Sequence, residues 1–251
     1  MRNKLFSLPL FLVLASGVVW AGEPPTADVQ TATDIDSRLH HTQVFKHGEV
    51  QVTYANGVAT LTGTVDNLGS KLDAEKAARK VKGVTQVVDN IQVAAPDVSD
   101  AQIIRQVQHE VLTYPFYSIF DNVNFQVENG NLVVNGQVTL PVKKSDIGNI
   151  LMRVKGVATL VNNLEVLPTS MFDDRLRMQL ARAIYGDPYF VHYRVQANPP
   201  IHIIVKNGNV TLEGVVATTL DRTKAEMAAR GTGLSFSVVD NLQVESPVKN
   251  S

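Results

Sequence analysis

The chain has 251 residues, with 23 Lys and Arg against 24 Asp and Glu, and no cysteine. A net charge of −1 gives no electrostatic reason to bind nucleic acid. Without cysteine there is neither a disulfide scaffold nor a lipid-modified N-terminus, so a lipoprotein is excluded.

Residues 1–21 read as a secretory signal peptide. Arg2 and Lys4 form a basic head, and residues 5–19 form an apolar run short of the ~20 residues a membrane span needs. Val19-Trp20-Ala21 then supplies a cleavage site. Cutting there removes two basic residues, and the charge falls from −1 to −3. Residues 22–30, with Pro24 and Pro25, read as a loose leader. Linkers around Pro96 and Pro168 divide the remainder into domains at 31–95, 98–168 and 169–246, with a polar tail at 247–251.

The division is supported by an internal repeat. Asn56-Gly57, Asn129-Gly130 and Asn207-Gly208 are each followed by a second glycine, at Gly63, Gly136 and Gly214, and then by Asn90, Asn163 and Asn241. All three landmarks recur at the same intervals, 73 and then 78 residues, as expected of three copies of one small domain.

The first copy has a short, weakly patterned leading helix around Ile35 and Leu39. Its second helix carries Ala74, Ala77, Ala78 and Val81 at core positions, with Gly83 ending it. The middle copy has the cleanest pattern. Ser99 and Gln102 fit a capping box, and Ile103, Ile104, Val107 and Val111 share a helical face. Val123, Phe125 and Val127 alternate with polar residues as a strand. Asn129-Gly130 suits a tight hairpin turn, and Leu132, Val134, Gly136 and Val138 return on one face. Ile147, Ile150, Leu151 and Val154 form a second helix ended by Gly156, and residues 160–166 form a third strand. The third copy repeats the order, with Ala225, Ala228 and Ala229 in its second helix. The expected fold is therefore α+β: three tandem domains, each helix-strand-strand-helix-strand, with both helices on one face of a three-stranded sheet. The other face, carrying Thr60, Thr62 and Thr64 or their counterparts, is expected to be wet. Gly63, Gly136 and Gly214 mark close backbone approaches.

Residues 56–65, 78–84 and 87–93 resemble a BON (bacterial OsmY and nodulation) domain. So do residues 129–138 with 153–166, and 201–216 with 238–244; Pro200-Ile201-His202-Ile203-Ile204-Val205 leading into Asn207-Gly208 is the sharpest match. An OsmY-like periplasmic arrangement has two such domains where this chain has three. The resemblance implies an envelope location, no catalytic activity or cofactor, and a role in phospholipid association or envelope stability under osmotic or other stress.

No phosphate loop, nucleophile elbow, zinc-helix motif or dinucleotide fingerprint is present. His40, His41 and His47 near Asp34 and Asp36 read as a solvated polar segment rather than a metal site. His202 reads as a surface histidine on the open sheet face, and Asp173-Asp174 as helix-dipole capping. The functional candidates are aromatic. Tyr114, Phe116 and Tyr117 follow the first helix of copy two, and Tyr189 and Phe190 occupy the same loop of copy three. Such rings suit a membrane interface, with Lys143 and Lys144 adding attraction to headgroups. Equally, one ring per loop closes the core and the others are incidental. The two partner expectations are a phospholipid surface, contacted peripherally, and envelope protein chains held at open sheet edges.

Overall fold

The computed structural model describes residues 27–245. The signal peptide, residues 22–26 of the leader and the tail at 247–251 lie outside the described residues. The first helix, α1 (Ala27–His40), already covers residues 27–30, which the sequence pattern assigns to the leader. It is longer than its pattern suggested because only Ile35 and Leu39 of its 14 residues are buried.

Copy one continues through β1 (Gly48–Ala55), β2 (Val58–Val65), α2 (Leu68–Arg79) and β3 (Gln86–Val93). Copy two comprises α3 (Asp100–Thr113), β4 (Asn122–Glu128), β5 (Asn131–Val138), α4 (Pro141–Leu151), β6 (Thr159–Asn162) and β7 (Glu165–Val166). Copy three comprises α5 (Met171–Tyr185), α6 (Val191–Arg194), β8 (Ile201–Lys206), β9 (Asn209–Val216), α7 (Thr219–Gly231), β10 (Ser237–Asp240) and β11 (Gln243–Val244). In each copy the second strand is central. It runs antiparallel to the first strand and parallel to the third, which comes after the second helix. The fold is the expected α+β arrangement, repeated three times. The third strand is whole in copy one but split in copies two and three. In all three copies the side chain of Asp89, Asn162 or Asp240 accepts the backbone N–H two residues on, where Ile91, Leu164 and Leu242 enter the core.

Each hairpin turn has an asparagine at φ near 50° and a glycine at positive φ, the geometry that two-residue turns between twisted strands require. The second glycine is dictated by space. A Cβ on Gly136 would lie 2.0 Å from the Asn122 carbonyl oxygen, and one on Gly214 would lie 1.9 Å from that of Pro200. The helices end earlier than their glycines suggested, at Arg79 and Leu151; Gly83 and Gly156 instead sit at positive φ in the following loops. The Gln102 side chain does accept the Ser99 N–H, at 2.8 Å. Ile104, however, is exposed, so the buried stripe of α3 is Ile103, Val107 and Val111.

Each copy encloses its own apolar core. The copies are also joined to one another. At the first joint, the Leu68 and Gly69 N–H groups at the start of α2 donate to the Val157 and Met152 carbonyls of copy two, at 2.9 and 2.7 Å. Gly156 donates back to Asp66 at 2.7 Å, and Arg153 pairs with Asp73 at 2.8 Å. Thus carbonyls just past α4 satisfy helix-start donors that would otherwise need water. At the second joint, the outer edge of β8 is taken by the loop of copy two: Ile203 donates to the Ile119 carbonyl at 2.7 Å. Ile119 and Phe120 pack against the core of copy three. Strand β8 is consequently buried at Ile201, Ile203, Ile204 and Val205, on both faces, whereas β1 and β4 mostly alternate.

Candidate functional site

The aromatic loops are built from the interior outwards. Tyr114 ends α3 with its ring buried and its hydroxyl donating to Asp146 at 2.7 Å; burial, then Asp146, pushes its pKa up to about 12. Asp121, fully buried, organises the loop. Its carboxylate accepts the Ser118 N–H and hydroxyl, the Thr139 N–H and hydroxyl, and the Lys143 ammonium at 2.6 Å. Lys143 therefore lies in the interior and offers no charge to a headgroup. Lys144 is half-buried, and its carbonyl accepts from the Asn162 side chain.

In copy three the roles are reversed. Asp221 occupies the register position of Lys143 and accepts the hydroxyls of Tyr189 and Tyr193 at 2.6 and 3.0 Å. Burial works to raise its pKa, but the bonds from Tyr189, Thr218 and Tyr193 outweigh it and hold the carboxyl below its usual range. Phe190 is wholly buried, while Tyr189 is half-buried with the Lys224 ammonium 4.6 Å from its ring centre.

Of the seven residues expected at a lipid surface, Tyr114, Phe190 and Lys143 are thus core residues. Tyr117 lies in the second joint, its ring 5.5 Å from that of His202, and burial drives its pKa well above the ordinary tyrosine value. Only Phe116 projects, at 66% exposure. The seven do not converge on one surface, because these loops close the cores and join copies two and three.

Two polar readings also change. His202 is not a surface residue. It is covered by the loop of copy two, its Nδ1 has no hydrogen-bond partner, and burial lowers its pKa. The sign in the sequence is the run Ile201-His202-Ile203-Ile204-Val205, whose missing alternation marks a strand covered on both faces. Asp173 does more than face a helix dipole: its carboxylate accepts the Asn207 and Gly208 N–H groups, both at 2.8 Å, and so latches the hairpin turn. Asp100 does the same for Asn129 and Gly130. Among the described residues no group of three or more histidine and carboxylate side chains is placed to hold a metal; His47 pairs with Asp66 at 3.0 Å instead.

A pair of stacked, exposed aromatic rings lies elsewhere, at the hairpin end of copy three. Met171 is 87% exposed, Phe236 79%, Phe172 47% and Leu234 43%. The rings of Phe172 and Phe236 stack at 6.2 Å beside Gly208. This surface was readable as a break in the repeat. The backbone N–H groups of Thr85, Ala158 and Phe236 bond to the same hairpin glycine carbonyl in their respective copies. A small side chain thus becomes an aromatic one in copy three alone.

The family described as the BON domain matches three times, at residues 27–95, 99–168 and 173–246. The chain belongs to the BON domain family. BON domains are non-catalytic binding domains, and the three matches coincide with the three structural copies. No curated protein matches the sequence. Among solved structures, the C-terminal domain of CdsD, a structural protein of the type III secretion system of Chlamydia trachomatis, aligns at 14% identity over 89% of this chain and 100% of that one. Its TM-score is 0.26; a second CdsD structure aligns over 86% and 93% with the same score and identity. A likeness this slight carries no argument. The large exposed residues of the third BON copy, rather than its loop rings, remain the functional surface to explain.

Proposed function

We propose that this protein is a non-catalytic binding and structural component of the bacterial envelope. It acts in the periplasm after cleavage of residues 1–21 and associates peripherally with phospholipid surfaces. The observation that carries this reading is the hairpin end of the third BON copy, where the exposed rings of Phe172 and Phe236 stack beside Gly208 and exposed Met171 and Leu234 neighbour them in sequence. Family membership supports it, since BON domains are associated with envelope and phospholipid roles. Among the described residues no helix is long and apolar enough to cross a membrane, so contact through this end would be peripheral. Removing a Phe or Met side chain from water is worth about 1.5–3 kcal/mol when burial is complete. Two such side chains at partial insertion suffice for weak, reversible attachment.

Liposome flotation of the purified chain tests the reading. Met171→Ser with Phe236→Ser should abolish flotation with vesicles and leave the melting temperature unchanged, since both side chains are exposed. Unchanged flotation refutes this contact surface.

A second reading, that BON copies hold other chains at open strand edges, is favoured by one observation. The outer edge of β8 already docks a backbone segment, through Ile203 and Ile119. It predicts suppression of client aggregation that survives the Met171 and Phe236 changes; no effect on any client removes it.

A further inference from the structure

A broad concavity lies along α1 and α2 in the first BON copy, where Arg153 of the second copy closes it. It has a volume of about 1220 Å³. Five of its lining side chains are cationic: Arg38, Lys76, Lys80, Lys82 and Arg153. Against them stand two carboxylates, and both are engaged. Asp73 pairs with Arg153 at 2.8 Å, and Asp34 accepts from the Gln30 amide at 2.9 Å. Arg38, Lys76, Lys80 and Lys82 are left without an ion pair among the described residues. Ser37 adds a hydroxyl group to the same wall, whereas the Thr42 hydroxyl already donates to the Leu39 carbonyl.

Complementing helix ends accounts for part of this charge. Arg38 lies in the last turn of α1, and Lys76 in that of α2, where cations face the free carbonyls. That explanation needs no concavity, and it does not extend to Lys82, beyond the helix, or to Arg153, supplied by another copy. Nor does it explain four unpaired cations on one groove of a chain whose net charge is −1. We propose that this groove is a binding site for an anion carrying several phosphate groups. Such a ligand matches the four unpaired cations, fills more of the groove than a single phosphate, and can take hydrogen bonds from the Arg38 guanidinium and the Ser37 hydroxyl together. The chemistry is shared by a soluble polyphosphate and by a membrane surface that presents several anionic phosphodiester headgroups side by side. The site is separate from the apolar end of copy three and does not depend on it.

The experiment is titration of the purified chain with tripolyphosphate by calorimetry, alongside flotation with phosphatidylglycerol and phosphatidylcholine vesicles. Lys76→Gln, Lys80→Gln and Lys82→Gln should each weaken tripolyphosphate binding about fivefold, and the triple variant should lose it. Arg105→Gln, an exposed cation on α3, should leave binding unchanged. All four residues are exposed, so melting temperatures should match the wild type. Absence of tripolyphosphate binding overturns the proposal, as does equal weakening by Arg105→Gln, which would mean diffuse surface attraction. Loss of phosphatidylglycerol flotation in the triple variant assigns the headgroup as source. Loss of tripolyphosphate binding with flotation intact assigns a soluble anion. The Met171 and Phe236 variant should still bind tripolyphosphate, so failure of either reading is seen separately.

Discussion

Lys143 is the residue for which surface and interior roles give opposite predictions. Its ammonium lies 2.6 Å from the carboxylate of Asp121, and neither side chain has appreciable contact with water. Changing Lys143→Met removes the cation, keeps most of the stem, and leaves a buried carboxylate held only by Ser118 and Thr139. Breaking one side of such a pair costs about 3–5 kcal/mol, and the four remaining hydrogen bonds argue for the lower end. At about 0.05–0.15 kcal/mol per residue, a domain the size of the second BON copy has roughly 3–10 kcal/mol in total. The substitution should therefore bring that copy close to unfolding. Urea denaturation followed by circular dichroism should show an added early transition, and Asp121→Asn with Lys143→Met should recover part of the loss. If Lys143→Met denatures like the wild type while its flotation with anionic vesicles falls, the buried pair is wrong and Lys143 is a surface cation.

The remaining expectations concern the frame and the second joint. Gly136→Ala should cost more than about 2 kcal/mol in urea denaturation, because its Cβ meets the Asn122 carbonyl at 2.0 Å and φ is +125°; a smaller loss would mean the strands part easily. Asp173→Ala removes two charge-assisted bonds to the Asn207–Gly208 turn, so amide exchange at those two residues should quicken by about tenfold or more; unchanged exchange would show the turn needs no latch. His202, enclosed with Tyr117 and Asp121 of copy two and cross-strand from Glu213, has its pKa below the ordinary 6.5. The unfolded or opened chain therefore binds more protons as pH falls through about 6.5, and stability at the joint is lost below that pH. Exchange at the Ile203 amide should rise between pH 7.5 and 5 beyond its intrinsic change, and His202→Gln should flatten that dependence; an equal rise in both proteins would clear His202.

How much was legible depends on the constraint each residue records. Turn glycines, alternating strands and alanine-rich helices record constraints inside one copy, and a three-fold repeat states them redundantly. The order of elements and the role of Gly136 were therefore accessible. The position of Tyr117 or Lys143 was not, because an aromatic or basic residue on a loop has the same local signature whether it turns inward or outward. Its direction is decided by partners distant in sequence, such as Asp121 for Lys143. Joints were hidden for the same reason, with one exception: the continuous apolar run of β8 departs from the alternation of β1 and β4. Phe236 was a second visible departure, legible only when the copies are aligned on their hairpin glycines.

These departures indicate how three copies of one fold come to differ. The third residue of the second helix is Ser70, Lys143 or Asp221 in successive copies, and all three are buried. The Ser70 backbone N–H donates to the Asn67 side chain, the Lys143 side chain reaches Asp121, and the Asp221 carboxylate collects two tyrosines. One backbone slot thus takes a neutral, a cationic or an anionic side chain, with the loop before it changed to match. Such substitutions leave the sheet and its glycines intact because each is compensated within its own copy. Uncompensated differences collect where no copy needs them for folding. The unpaired cations line copy one, and the stacked outward rings of Phe172 and Phe236 sit on copy three. A constraint internal to the fold would have acted on all three copies alike, so residues that differ without compensation in their own copy or at a joint are the ones to be explained by binding.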